Sequence, residues 1–394
     1  MTPHKVRVAF LLVADLSTFW GSERFVYEFL RHAPRDEIEA VVVEPSYQPR
    51  AILNREELTK LLPNVSFTRV SSFERQLSLF RGSRLATILC NVVVRPFLQL
   101  TILRAKNAAQ LELVSQCDIV YLIRNRDVYM FRPTSAILIG SDHGGLPDPR
   151  TRSFGIMRLA PWFRRLTGIH VFPNKEDVLE LFGKPLAVAV PNGVDSGRFS
   201  PGVNHRKEDS VSFFYLARLE PAKGVLTLLQ AWRLRDQSGG ASLTIAGTGA
   251  LASEVARSRD IRFLGRLSET EVPEAYREAD VFVYPTRGDP FPLVILEALA
   301  SGLYVITSDA LKGTFDEFEK LGFLEYCPND PSELARRMLD ATLHADQIRE
   351  RRNRVHEFIS ERYGWEAVSR KLLDFFKQCA SARQARRLLD SSSL

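Results

Sequence analysis

Two carboxylates in the second half of the chain are spaced so that they could act on one ligand. Asp289 and Glu297 stand in D-P-F-P-L-V-I-L-E-A-L-A-S-G, residues 289–302. The apolar run Val281–Tyr284 reads as a short buried strand that Pro285 stops, and residues 286–289 read as a loop. Pro290 and Pro292 fit the first turn of a helix, where their missing N–H groups would be orphans anyway. The predicted helix runs to about Ser301 and ends at Gly302, and residues 304–307 form a second buried strand. On this reading Asp289 caps the helix. The N–H groups of Leu293 and Val294, just past Phe291, then face out of its positive end as a seat for phosphate. Glu297 lies about two turns on, roughly 11 Å from Pro290 at 1.5 Å per residue. The two acids could grip hydroxyls at two ends of a nucleotide sugar. A capping Asp and a surface Glu on an ordinary crossover helix would look the same.

Two cations precede the acids. The strand-like run from Val211, V-S-F-F-Y-L-A-R-L, leads through E-P-A-K-G into a helix carrying Leu226, Leu229 and Trp232. Arg218 at the strand end and Lys223 at the helix start would both face a pyrophosphate. There a guanidinium and an ammonium can stabilise leaving-group charge without a metal. Cations are unfavourable at that end of a helix dipole, so a bound anion would explain them; two surface cations are the plainer alternative. Further on, L-T-I-A-G-T-G continues as G-T-G-A-L-A, which also matches a dinucleotide fingerprint. Close backbone packing at Gly247 and Gly249 explains it as well. In the first half, Gly21-Ser22-Glu23 could let a diphosphate or acceptor come close to the backbone, or could be a plain strand-to-helix turn. Ser141-Asp142-His143-Gly144-Gly145 directly follows a strand, and His143 there could hydrogen-bond a sugar hydroxyl or phosphate. Asp142 is the weaker candidate beside it.

These residues need a scaffold that brings strand ends together. Residues 6–14, V-R-V-A-F-L-L-V-A, are an apolar run, broken only by Arg7, of the kind buried on both faces of a parallel sheet. Further strands are predicted at residues 40–43, 65–70, 118–123, 136–139, 170–172, 187–190 and 261–265, with helical stretches between. The first helix carries Phe25, Phe29 and Leu30. The alternation implies α/β architecture with doubly wound parallel sheets, in which ligands bind beyond the carboxyl ends of strands.

The chain has 394 residues, 45% hydrophobic and 25% charged, enough for two domains with separate cores. Its four cysteines, Cys90, Cys117, Cys327 and Cys379, are far apart, so neither a disulfide framework nor a zinc site is expected. The N-terminus lacks a signal-peptide pattern, and no apolar stretch reaches the length of about 18 residues needed to span a membrane. The expected location is cytoplasmic, with peripheral membrane contact. The net charge of +6 is uneven. Arg75, Arg81, Arg84, Arg95, Arg104 and Lys106 lie among Leu, Ile, Val and Phe, with no acid between residues 75 and 111. Such a segment suits an anionic membrane surface, or equally a core helix pair with solvated arginines. Residues 147–165 are basic again. Interleaved Tyr or Trp and nucleic-acid motifs are lacking, so no nucleic-acid partner is expected.

Four motifs together resemble the retaining GT-B glycosyltransferases of glycosyltransferase family 4, also called glycosyl transferases group 1. The acidic stretch is similar to that family's E-G-F-G/P-L-V-x-L-E-A-x-A-x-G, with Asp289 for the first Glu, Pro290 for Gly and the spacing kept. A-R-L-E-P-A-K-G, residues 217–224, resembles G-R-L-x-P-x-K-G with Ala217 for Gly. Residues 191–201 match P-N-G-V-D-x-x-x-F-x-P, the family's domain linker, and Gly21-Ser22-Glu23 imperfectly matches its Gly-Gly-x-Glu loop. After the acidic motif, Lys312-Gly313-Thr314-Phe315 departs from the common Gly-Gly-Pro-Glu turn and leads into a charged helix-like run.

The resemblance implies a GT-B fold of two Rossmann-like domains facing a cleft. The N-terminal acceptor-side domain would span residues 1–190 and the nucleotide-sugar domain residues 191–362. A helix over 363–380 would cross back to the first domain, ahead of a flexible tail, 381–394. It also implies a donor held mostly by the second domain: Arg218 and Lys223 on the diphosphate, Glu297 on the ribose, Asp289 with His143 on the transferred sugar, and Gly247 and Gly249 packed beside the phosphates. The implied reaction moves a hexose-type sugar from a UDP- or GDP-sugar, with retention and no metal or other cofactor, to a glycan or lipid-linked acceptor. A GT-B nucleotide-sugar epimerase, a non-catalytic binding protein of the same fold, and a membrane or polyanion adaptor are the rival readings.

Overall fold

The computed structural model describes residues 5–12, 14, 16, 21–46, 54–71, 94–123, 136–141, 169–172, 186–202, 210–235, 240–258, 260–289 and 291–392. The chain forms two units: Met1–Pro191 together with Trp365–Leu394, and Asn192–Gly364.

In the first unit, strands β1 (Val6–Leu11), β2 (Ile38–Pro45), β3 (Val65–Val70), β4 (Ile119–Leu122), β5 (Ile137–Ser141), β6 (Ile169–Phe172) and β7 (Leu186–Ala189) form a parallel sheet ordered β3-β2-β1-β4-β5-β6-β7. Its central strands are apolar at nearly every position because both faces are covered; Arg7 of β1 is an exception. Successive side chains point to opposite faces. Val8 and Phe10 of β1 join Ile119 and Tyr121 of β4 in one core, while Ala9 and Leu11 join Val120 and Leu122 in the other. Helix α1 (Gly21–His32) covers the first of these cores with Phe25, Phe29 and Leu30. Helix α2 (Arg55–Leu61) opens with a capping box between Asn54 and Glu57.

In the second unit, β8 (Val211–Leu216), β9 (Ala241–Ala246), β10 (Arg262–Gly265), β11 (Val281–Tyr284), β12 (Tyr304–Ser308) and β13 (Leu324–Cys327) form a parallel sheet ordered β10-β9-β8-β11-β12-β13. The order reverses between β8 and β11, which makes their carboxyl ends the topological switch point. Four helices of this unit matter below: α3 (Val225–Leu234), α4 (Glu271–Arg277), α5 (Leu293–Ala300) and α6 (Pro331–Leu343).

Two sequence expectations are corrected, and one strand was not expected. The helix of the acidic stretch starts at Leu293, with Pro292 as its N-cap residue and no side-chain cap, so Asp289 does not cap it. Its carboxylate is taken by other partners, described below. The charged run after Phe315 does form a short helix, Asp316–Lys320; the strand that follows it, β13, was not expected, because its L-E-Y-C sequence lacks a long apolar run. The expected tail from Ser381 continues the final helix, α7 (Trp365–Ser392). Its Ala, Arg, Gln and Leu residues are good helix formers, and extending an existing helix needs no new nucleus. Trp365, Val368, Leu372, Phe376 and Cys379 of α7 lie in the first unit's core.

Candidate functional site

Backbone clamping at the switch point builds the site. After β8 the chain runs through Arg218 to a tight 3-10 turn, Pro221–Lys223, which Gly224 links to α3. After β11 it runs through Pro285 and Thr286 to Asp289. The two loops are tied together. The Ala222 carbonyl accepts from the Arg287 N–H at 2.9 Å and the Thr286 hydroxyl at 3.2 Å. Asn329 donates to the Pro285 carbonyl at 3.1 Å and accepts from Thr227 of α3 at 2.7 Å. Gly224 has φ 77°, and a Cβ there would lie 1.7 Å from the Pro285 carbonyl oxygen. No other residue permits this approach without displacing backbone.

The clamp brings Lys223 and Asp289 together although 66 residues separate them in sequence. The Lys223 ammonium donates to Asp289 Oδ2, and both side chains are 16% exposed. The Tyr284 phenol donates to the same oxygen at 3.0 Å. The Tyr215 phenol donates to the Lys223 carbonyl at 3.1 Å. Burial, and then the charge of Asp289, pushes the Tyr284 phenol well up; burial does the same to Tyr215. Both therefore remain proton donors at neutral pH. Arg218 is exposed and pairs with Glu220 at 2.8 Å. Each expected phosphate-binding cation thus has a carboxylate partner within the chain, which balances its charge near the start of α3.

Glu297 sits half-buried on α5, and its Oε2 accepts from the Tyr276 phenol of α4 at 3.2 Å. The same phenol lies 3.1 Å from the Val294 carbonyl, so one buried group links positions about one turn apart on α5. Leu293 and Val294 form the first turn of α5 and are half-buried. The side chain of Phe291 faces inward, its ring 5.2 Å from that of Phe315. Gly247 and Gly249 bring the loop after β9 against the Arg218 segment. A Cβ at Gly247 would lie 1.9 Å from the Ala217 carbonyl oxygen, and one at Gly249 would lie 2.6 Å from that of Leu219. The G-x-G spacing is therefore used for packing against the chain's own backbone.

In the first unit, Gly21 and Ser22 open α1, and Glu23 beside them is fully buried. Its carboxylate accepts from the Ala14 N–H at 3.2 Å. Glu44 does the same for the Leu16 N–H at 3.1 Å, so buried acids hold the backbone beyond β1. His143, Asp142 and the basic residues 147–165 lie outside the described residues, as do Arg75, Arg81 and Arg84. The tyrosines Tyr215, Tyr276 and Tyr284, with Asn329 and Thr286, were not singled out from sequence. The available signal was a tyrosine rather than a phenylalanine near the end of a buried strand, because a buried phenol needs a partner.

The chain resembles known proteins in sequence over part of its length and in fold over nearly all of it. Residues 210–343 match the model of the family described as glycosyl transferases group 1. The glycogen synthase of Mycobacterium tuberculosis H37Rv is 35% identical over 144 residues, 34% of this chain and 35% of that protein. The phosphatidyl-myo-inositol mannosyltransferase of the same organism is 31% identical over 211 residues, 50% of this chain and 55% of that protein. The matches thus span about a third to about half of those relatives' lengths. Among solved structures, sucrose-phosphate synthase of Thermosynechococcus elongatus superposes with TM-score 0.71 at 15% identity, covering 96% of this chain and 100% of that one. Anabaena HepE, in complex with UDP and glucose, superposes with TM-score 0.66 at 16% identity, covering 94% and 99%. The fold is GT-B, with two Rossmann-like parallel-sheet domains.

Proposed function

We propose that this chain is a retaining glycosyltransferase of family 4 that transfers a hexose-type sugar from a UDP- or GDP-sugar to a glycan or lipid-linked acceptor. The observation that carries this reading is the Lys223–Asp289 pair at the switch point of the domain that matches the group 1 family. Lys223 and Arg218 bind the donor diphosphate, Glu297 the ribose, and Asp289 a hydroxyl of the transferred sugar. The bond from the anomeric carbon to the phosphate oxygen breaks, and its electron pair leaves on the diphosphate, where Lys223 and Arg218 stabilise the charge. The acceptor oxygen bonds to the same face of the sugar, and its proton passes to the departing phosphate. The two cations perform the charge stabilisation that a metal would otherwise supply, so transfer continues in excess chelator.

Calorimetric titration with UDP- and GDP-sugars tests the reading. One donor binds the wild-type protein, and Lys223→Ala and Glu297→Ala each weaken it at least tenfold, the loss expected for one charged hydrogen bond of about 1.5–3 kcal/mol. Absence of binding by a folded wild-type protein would overturn it. NMR of the product's anomeric proton tests retention, and turnover in EDTA tests metal independence.

An acceptor at a membrane accords with the first unit. Among the described residues no helix is long and apolar enough to cross a membrane. However, residues 95–106 are helical and expose Phe97, Leu100 and Ile102 at 62%, 46% and 43%. They belong to the basic stretch without acids, a combination that favours peripheral contact with an anionic membrane, at its cytoplasmic face on this reading. Co-sedimentation with phosphatidylglycerol vesicles is expected and should fall in 0.5 M salt and in the double variant Phe97→Ser/Leu100→Ser. Equal recovery with neutral vesicles would count against it.

A further inference from the structure

The strand-end tyrosines do more at this site than fill the core. Tyr215 and Tyr284 come from the adjacent strands β8 and β11, with ring centroids 6.3 Å apart, and are 0% and 2% exposed. Phenylalanine would supply the same ring to the same packing, so the hydroxyls need a separate reason. They reach the two members of the ion pair in different ways. Tyr215 holds the carbonyl of Lys223, at the end of the turn that presents the ammonium. Tyr284 holds the carboxylate of Asp289 itself, on Oδ2, the oxygen that also receives the Lys223 ammonium. Two donors on one oxygen, one from the turn after β8 and one from the end of β11, fix the carboxylate's orientation. Among the described residues Oδ1 then accepts no hydrogen bond, which leaves it to meet a ligand hydroxyl.

We propose that Tyr284 and Tyr215 are positioning residues with separate tasks, Tyr284 orienting Asp289 toward the transferred sugar and Tyr215 holding the Lys223 turn toward the diphosphate. This rests on the reading of the site as one for a nucleotide sugar. The separation follows from which group each phenol touches. Loss of the Tyr284 hydroxyl frees a carboxylate whose ligand contact is the sugar alone, while its ion pair with Lys223 stays in place. Loss of the Tyr215 hydroxyl loosens a turn whose ammonium meets the phosphates.

The test compares affinity for UDP with that for UDP-glucose, and for GDP with GDP-mannose, using whichever pair the wild-type protein binds. Tyr284→Phe should leave the nucleoside diphosphate within twofold of wild type while weakening the nucleotide sugar about tenfold, the loss of one charge-assisted hydrogen bond. Tyr215→Phe should weaken both ligands together. If Tyr284 acts through Asp289, the double variant Tyr284→Phe/Asp289→Ala should match Asp289→Ala alone, and the two losses should not add. Circular dichroism confirms that each variant is folded. Equal weakening of both ligands by Tyr284→Phe, an unchanged nucleotide-sugar affinity, or additive losses would each overturn the proposal while wild-type donor binding left the functional reading standing. Wild-type protein that binds neither pair would overturn both.

Discussion

At the scale of single residues, the site depends on places where one side chain controls another chain segment. Gly224 is the sharpest case, because its left-handed conformation and the nearby Pro285 carbonyl exclude any Cβ. Gly224→Ala is expected to cost about 2–4 kcal/mol, combining backbone strain with displacement of the 285–288 loop, and to abolish donor binding. Urea denaturation and calorimetry on the same variant check both effects. The cysteines act differently. Burial pushes the thiols of Cys117, Cys327 and Cys379 up to about 11, and all three side chains are buried. Little thiolate forms at pH 8, so these three should resist Ellman's reagent until the protein is unfolded. Rapid labelling of any of them in the native protein would contradict their placement.

At the scale of elements, α7 anchors itself to the first unit by both packing and charge. Phe376 meets Phe10, Phe29 and Tyr121 at centroid distances of 6.2, 5.8 and 5.5 Å. Phe376→Ala should therefore cost about 3–5 kcal/mol, measured as a lower urea midpoint for that unit. Arg370 and Lys377 of the same helix both pair with Glu37. Arg370 first, then Lys377, lowers the Glu37 carboxyl below its ordinary value. A lowered folded-state pKa makes the unfolded state bind the proton more readily as pH falls. The contribution is complete above the ordinary Glu value of about 4.3 and is lost as pH drops through the lowered folded value. The protection factors of the α7 amides, corrected for intrinsic exchange, should fall on acidification through that window, and Glu37→Gln should remove the dependence.

At the scale of the whole molecule, the first unit is discontinuous in sequence: it needs Trp365–Leu394 as well as Met1–Pro191, whereas the second is the single segment Asn192–Gly364. A chain ending at Gly364 should keep the second unit protected from proteolysis and expose the first, whose core would lose Trp365, Leu372 and Phe376. Nucleoside diphosphate should stabilise the second unit through mass action, by about 2.7 kcal/mol at a hundred times its Kd. Calorimetry of the full chain with UDP or GDP should show the shift in the transition assigned to that unit.

Short apolar runs between helical stretches determined the fold class, because a strand buried on both faces is apolar at most positions and a run of four to eight such residues stands out. Thus β1, β4, β8 and β11 were readable, while β13 was missed because it has only four residues and Glu325, which pairs with Arg337, breaks them. The types and spacing of Arg218, Lys223, Asp289 and Glu297 were equally legible, since local sequence carries them on two strand-loop-helix units. Their pairing was not. Local rules made Asp289 a helix cap and made the two cations a pair awaiting an anion. Tertiary structure instead joined Lys223 to Asp289, placed Arg218 on Glu220, and gave the tyrosines their partners. Which strand lies beside which is decided by the sheet order, and contacts between loops 66 residues apart follow from that order and not from sequence period.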